Sequence, residues 1–264
     1  MKTQTRAHGA DVEAARVPLP EFSDRWALFF DVDGTLIELA EHPRAVHVEP
    51  LLIEVLGRLQ RLADGALAFV SGRSVDDLDQ LFAPLHLAIA GQHGAELRHA
   101  NGSVALERTD RFAGAAARGA LARLEARHEG LYFEDKGAAL AMHFRRVPAL
   151  GPLVERTLRE VALGSNGEFA LQNGKMVWEL VPHGKNKGGA IAELMREPPF
   201  AGRVPVFVGD DVTDEDGFSL VARMSGHAIK VGRGGSVASH RIADVAQVRS
   251  WLGGYADWLE NRRG

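Results

Sequence analysis

Short, wholly apolar runs alternate with amphipathic stretches along much of this chain. Trp26–Phe30 (WALFF) is such a run, the mark of a strand covered on both faces of a parallel sheet. Apolar side chains at 51, 52, 55, 56, 59 and 62 then recur at helical spacing, and Gly65 supplies the stop. Residues 67–70 (LAFV) and 87–90 (LAIA) read as two more buried strands, with an amphipathic helix or turn over 75–82 between them. The rhythm returns near the C-terminus as helix 190–195, strand 204–208, helix 218–224 and strand 228–231. Strands that alternate with helices predict right-handed βαβ units and a doubly wound parallel sheet.

The middle of the chain follows another pattern. Residues 112–128 predict a helix, 131–134 and 138–144 two strands, 152–161 a helix, and 168–171 and 176–180 two more strands. Asp135-Lys136-Gly137 and Asn173-Gly174 suit the tight turns of hairpins, which need residues that tolerate positive φ. An α-β-β unit given twice makes an antiparallel sheet with helices on one face. Placed between two blocks of parallel α/β, the segment 107–184 predicts a lid on a core built from 23–106 and 185–264, with 1–22 as a flexible tail.

Composition narrows the function. The 264 residues are 45% hydrophobic and 25% charged, ordinary values for a globular chain that can bury an ample core. There is no cysteine, which excludes disulfides, thiolate metal sites and cysteine nucleophiles. A net charge of −4 argues against a protein that grips nucleic acid. No apolar run approaches the roughly 18 residues of a membrane helix, and residues 1–20 lack the apolar stretch of a signal peptide. A cytoplasmic monomer with a small-molecule substrate is the expectation.

Two acidic clusters carry the candidate chemistry, each directly after an apolar run. FFDVDGTL puts Asp31 and Asp33 where the first strand ends, and FVGDDVTDE puts Asp210, Asp211 and Asp214 just beyond another. In doubly wound sheets ligands bind at the carboxyl ends of strands. If these two strands are neighbours the carboxylates converge, and carboxylates that converge repel unless a cation is present. An all-oxygen donor set suits Mg²⁺. Asp214 equally suits a cap on the helix that follows. FVSGR offers the Ser71 hydroxyl and the Gly72 backbone to phosphate oxygens. Lys187, in KNKG, opens a helix where the dipole disfavours a cation, so it calls for an anion, with Lys185 as a competitor.

DVDGT, a strand-end serine, a lysine opening a helix, and GDD, in that order, resemble the haloacid dehalogenase (HAD) superfamily of phosphotransferases. The resemblance implies a Rossmann-like core with an inserted α+β cap of the C2 type. It makes Asp31 the nucleophile that becomes an aspartyl-phosphate and Asp33 the acid that protonates the leaving oxygen, then the base that activates water. Ser71 and Lys187 would hold phosphoryl oxygens. Asp31, the backbone carbonyl of Asp33 and Asp210 would ligate Mg²⁺, with Gly72, Asp211 and Asp214 in support.

GQHGAELR, EDKGAALAMHFR, GKMVWELVP, NKGGAIAEL and GDDVTDEDGF together resemble trehalose-6-phosphate phosphatases, from about residue 26 to 252. That resemblance implies trehalose 6-phosphate as substrate and makes Glu134, Lys136, His143, Arg145, Lys175 and Glu179 candidates for gripping the disaccharide. Gln92 and His93 fit either the substrate or the seam between core and cap, and Trp178 fits packing within its strand. Another sugar phosphate, such as sucrose phosphate, is the neighbouring alternative. A non-enzymatic phospho-receiver shares the acidic pair, hydroxyl and lysine, but has no use for a lid of some eighty residues.

Overall fold

The computed structural model describes residues 18–40, 46–106 and 111–263. An eight-stranded sheet forms the base: β1 (Trp26–Phe30), β2 (Leu67–Val70), β3 (Ala88–Gly91), β4 (Glu96–Arg98), β5 (Val104–Leu106), β10 (Val204–Gly209), β11 (His227–Val231) and β12 (His240–Ile242). Their order is β12-β11-β10-β1-β2-β3-β4-β5, parallel from β12 to β3 and antiparallel beyond. Helices α1 (Pro50–Leu62), α2 (Val75–Phe82), α5 (Lys187–Leu194), α6 (Glu215–Arg223) and α7 (Val245–Arg263) accompany it.

The apolar runs are continuous because the pleat sends alternate side chains to two different cores. From β1, Trp26, Leu28 and Phe30 join Leu52, Leu56 and Leu59 of α1 and Trp251 and Leu252 of α7. Ala27 and Phe29 point the other way, to Ile191 and Leu194 of α5 and Phe218 and Val221 of α6. Strand β10 repeats the sorting, with Val206 and Val208 on the first side and Phe207 on the second.

Between β5 and α5 the chain builds a separate four-stranded antiparallel sheet, β6 (Tyr132–Asp135), β7 (Leu140–His143), β8 (Phe169–Gly174) and β9 (Val177–Pro182), in the order β6-β7-β9-β8. Helices α3 (Arg111–Arg127) and α4 (Gly151–Gly164) cover one face, where Leu121, Leu140, Met142, Val154, Leu158 and Leu180 form a third apolar cluster. By the same alternation Glu134, Ala141, His143, Gln172 and Glu179 occupy the opposite pleat. Pairing of Gln172 with Glu179, Glu179 with Ala141 and Ala141 with Glu134 lines several of them up across the sheet.

Several expectations shift. Strands β4, β5 and β12 and helix α7 have no counterpart in the sequence reading. The turn expected at Asn173-Gly174 falls two residues later, at Lys175 and Met176, while Asn173 and Gly174 continue β8. Of the tail expected over 1–22, residues 1–17 lie outside the described residues, as does the expected cap boundary at 107. Phe22 is packed among Trp26, Trp251, Tyr255 and Trp258, and His240 Nδ1 donates to the Pro18 carbonyl at 2.7 Å.

Candidate active site

The two acidic motifs are brought together by strand order. β1 and β10 are hydrogen-bonded neighbours in parallel, with Phe30 opposite Val208, so Asp31 and Asp210 leave the sheet side by side at its carboxyl edge. Asp31, Asp210 and Asp214 are all buried, and one carboxylate oxygen from each lies within 4.8 Å of the others. The loop after β1 packs tightly on this cluster: a Cβ at Gly34, which stands at φ +81°, would lie 2.1 Å from Asp210 Oδ2.

Lys187 is 2% exposed at the first turn of α5 and donates to Asp31 Oδ1 at 2.6 Å and Asp214 Oδ1 at 2.7 Å. The anion that its awkward position at a helix N-terminus calls for is thus supplied by the protein. Burial alone would depress its pKa, but Asp214 and Asp31 outweigh that and hold it well above the usual lysine range. Burial also pushes the Asp31 carboxyl well up; Lys187 opposes the shift, and Asp214 and Asp210 add to it. The Asp210 carboxyl is raised as well, by burial, with Lys175 opposing. Lys175 Nζ donates to Asp210 Oδ2, and Lys230 Nζ, from the buried edge of β11, donates to the Asp210 carbonyl. Thr35 Oγ1 donates to Asp31 Oδ2 at 3.3 Å.

This donor set fits the implied cation. It is buried and made of carboxylate oxygens only. Hard divalent ions such as Mg²⁺ take such ligands.

The Asp33 carboxylate stands apart from the other three. The chain turns directly after β1, the Val32 carbonyl accepting from the N–H groups of Thr35, Leu36 and Ile37. Asp33 lines the same cleft as Asp31, but the close carboxylate cluster is formed by Asp31, Asp210 and Asp214. A bidentate pair with Arg73 holds Asp33, Nε to Oδ2 at 2.6 Å and Nη2 to Oδ1 at 2.7 Å. Ser71 is 1% exposed at the end of β2, and its Oγ accepts from the Arg73 N–H at 3.2 Å.

A cleft of about 880 Å³, counted to its open mouth, separates this floor from the polar pleat of the smaller sheet. The candidate catalytic, metal and sugar-binding residues line it together with His93, except Asp214, which is sealed beneath at 0% exposure; Gln92, Trp178 and Lys185 are not part of the lining. From above, Lys136 Nζ reaches Glu179 Oε1 at 2.6 Å and the Gly72 carbonyl at 2.8 Å, and His143 Nε2 lies 2.8 Å from Glu134 Oε2. Burial works against ionised Glu179, yet Lys136 and His93 hold its carboxyl far below the ordinary range. Asp211 joins floor to roof: its Oδ2 accepts the Lys175 N–H at 3.1 Å, and its Oδ1 caps Val212 N–H at 2.8 Å. Arg145 Nη2 braces the same turn through the Lys175 carbonyl at 3.0 Å. The side chain of Asp214 does not cap α6 as its position allowed; its Oδ2 accepts the Asp211 N–H at 2.8 Å and closes the turn before that helix, while Oδ1 takes Lys187.

Sequence reasoning missed three participants. Arg73 stands in the SGR motif, but no partner could be named for it. Lys230 had a signal, a lysine inside the apolar run AIKV, and Thr35 lay within DVDGT.

Residues 29–248 match the model of the family described as trehalose-phosphatase. The trehalose-6-phosphate phosphatase of Escherichia coli is 42% identical over 251 residues, 92% of this chain and 91% of that one. The probable trehalose-phosphate phosphatase of Sinorhizobium fredii is 45% identical over 211 residues, 79% and 78% of the two chains. The solved C-terminal domain of Candida albicans trehalose-6-phosphate phosphatase superposes with a TM-score of 0.79 at 22% identity, over 89% of this chain and 93% of that one, and shows the shared fold. A parallel-rich sheet bearing a cap is the architecture of HAD-superfamily phosphatases. With its acidic floor, buried lysine and polar roof in one cleft, this chain belongs to the trehalose-phosphatase family.

Proposed function

We propose that the protein hydrolyses trehalose 6-phosphate to trehalose and phosphate through an aspartyl-phosphate. The observation that carries this reading is Lys187 bridging Asp31 and Asp214 beneath a cap pleat of charged, hydrogen-bonding side chains. A floor that neutralises phosphoryl charge and a roof that can bind hydroxyls suit a sugar phosphate.

In this scheme an Asp31 oxygen attacks phosphorus, the bond from phosphorus to the sugar oxygen breaks, and Asp33 gives that oxygen its proton. Asp33 then takes a proton from water as the water attacks the acyl phosphate, freeing phosphate and restoring Asp31. Asp33 has to leave Arg73 to do so. Ser71 and Lys187 hold the phosphoryl oxygens through both steps, Gly72 offers backbone, and Glu134, Lys136, His143, Arg145, Lys175 and Glu179 bind the disaccharide. Asp31, Asp210 and the Asp33 carbonyl would hold Mg²⁺, with Asp211 and Asp214 in support; when bound, the ion supplies positive charge to the reacting oxygens. All these groups come from one chain, in keeping with action as a monomer, and no helix among the described residues is long and apolar enough to cross a membrane.

Phosphate release from trehalose 6-phosphate, compared with sucrose, glucose and mannose phosphates, tests the assignment. Trehalose 6-phosphate is expected to be turned over fastest, and Asp31→Asn to abolish release while the protein stays folded. A far faster rate on another sugar phosphate removes the substrate, and wild-type rates in the Asn variant remove the nucleophile.

A further inference from the structure

An unusual stretch of backbone follows β3. Gln92, His93 and Gly94 stand one after another at φ 46°, 57° and 94°. Glycine is at ease there, but consecutive glutamine and histidine residues persist in the left-handed region only when their surroundings over-determine them. Gln92 is 0% and His93 3% exposed; His93 lines the cleft, and their side chains bond to Glu96 of the core and to Ala139, Gln172 and Glu179 of the cap rather than to the aspartates of the floor.

What they touch is the cap. Gln92 Oε1 accepts the Ala139 N–H at 2.7 Å, while its amide nitrogen donates to Glu96. His93 Nε2 lies 2.7 Å from Glu179 Oε2, and Nδ1 lies 3.0 Å from Gln172 Nε2. A carboxylate only accepts, so Nε2 carries the proton. The other nitrogen, Nδ1, faces the Gln172 amide, so both ring nitrogens have partners. Gln172 and Glu179 are opposite one another on β8 and β9, so the imidazole clips two cap strands together from the core side. The other Glu179 oxygen takes Lys136, which also reaches the Gly72 carbonyl. A Cβ at Gly72 would stand 2.8 Å from His93 Nε2, so glycine there lets the ring lie against the strand end.

Apolar side chains would join core and cap as firmly. A buried chain of carboxylate, imidazole and amide costs desolvation, and what it adds is a fixed orientation. We propose that His93 is a positioning residue for sugar recognition: from the core it fixes Glu179, and through it Lys136, in the pose offered to a sugar phosphate, while Gln92 tethers the cap at Ala139. This rests on the reading of the cap's polar pleat as the sugar grip.

Two substitutions test it. His93→Asn keeps a residue tolerant of the left-handed backbone but too short for Glu179. His93→Gln restores an N–H donor of nearly the original reach. The quantity to measure is the ratio of kcat/KM for trehalose 6-phosphate to that for p-nitrophenyl phosphate, which has no sugar to grip. His93→Asn should lower the ratio roughly tenfold or more, the worth of one hydrogen bond to a charged group, and His93→Gln should recover most of it. An unchanged ratio in the Asn variant, or no recovery in the Gln variant, overturns the proposal. Wild type that hydrolyses the aryl phosphate but not trehalose 6-phosphate removes the sugar reading instead. The clip is then tested alone by melting: shifts from His93→Asn and Glu179→Gln should fall short of additivity when combined, and additive shifts would overturn it.

Discussion

Lys187 shows most directly how single side chains are committed. It is a cation at the wrong end of a helix, buried, and kept charged by Asp31 and Asp214. Lys187→Met preserves much of the volume but leaves two carboxylates buried without their partner. The expected loss is about 3–5 kcal/mol, read from urea unfolding, together with loss of turnover. The loss should shrink in acid, where protonation of Asp31, whose carboxyl burial already pushes up, relieves the repulsion. The oddity of this lysine was legible in the sequence; its partners were not, because they lie 156 and 27 positions away and meet it only once β1 and β10 pair. Asp33 was legible as a motif residue, but where its carboxylate points was not, since spacing along an extended chain says nothing once the chain turns at its next residues. Its pairing with Arg73 depends on β2 lying beside β1.

Elements were legible where burial on two faces made an apolar run, as in β1, β2 and β10. The missed strands are short, three residues each, and all three residues of β5 are exposed, so neither length nor pattern marks them. Helix α7 does carry a periodic face, from Val245 and Val248 through Trp251, Leu252, Tyr255 and Ala256 to Leu259, but Gly253-Gly254 at its centre reads as a break. The cap hairpin turns two residues late because Asp211 and Arg145 hold the N–H and the carbonyl of Lys175, and these contacts outrank local turn preference. Packing between α6 and β10 gives a test of element fit. A Cβ at Gly217 would come within 2.4 Å of Phe207 Cε1, so Gly217→Ala should cost about 1–3 kcal/mol through overpacking, seen as a lowered urea midpoint with an unchanged slope.

For the protein as a unit, the acidic floor ties stability to pH and to divalent ions. Asp31 and Asp210 have folded pKa values above their unfolded ones. Without a cation the folded state therefore binds more protons, and stability falls as pH rises from the ordinary carboxylate value of about 4 through the raised folded values. A divalent ion reverses that cost. Melting in excess Mg²⁺ should exceed melting in chelator, and the gap should widen from pH 5 to pH 7. At about a hundred times the dissociation constant the gain is roughly 2.7 kcal/mol, or about 5–10 °C for a chain of this length. Equal melting curves across that range would take the ion out of the site.

The smaller sheet and its two helices enclose an apolar cluster of their own, distinct from the two that flank the larger sheet. A change of fit in that interior reaches the polar pleat of the smaller sheet first and the acidic floor last. Diversification of what is hydrolysed can then proceed in one compartment while the chemistry of hydrolysis is inherited intact in the other.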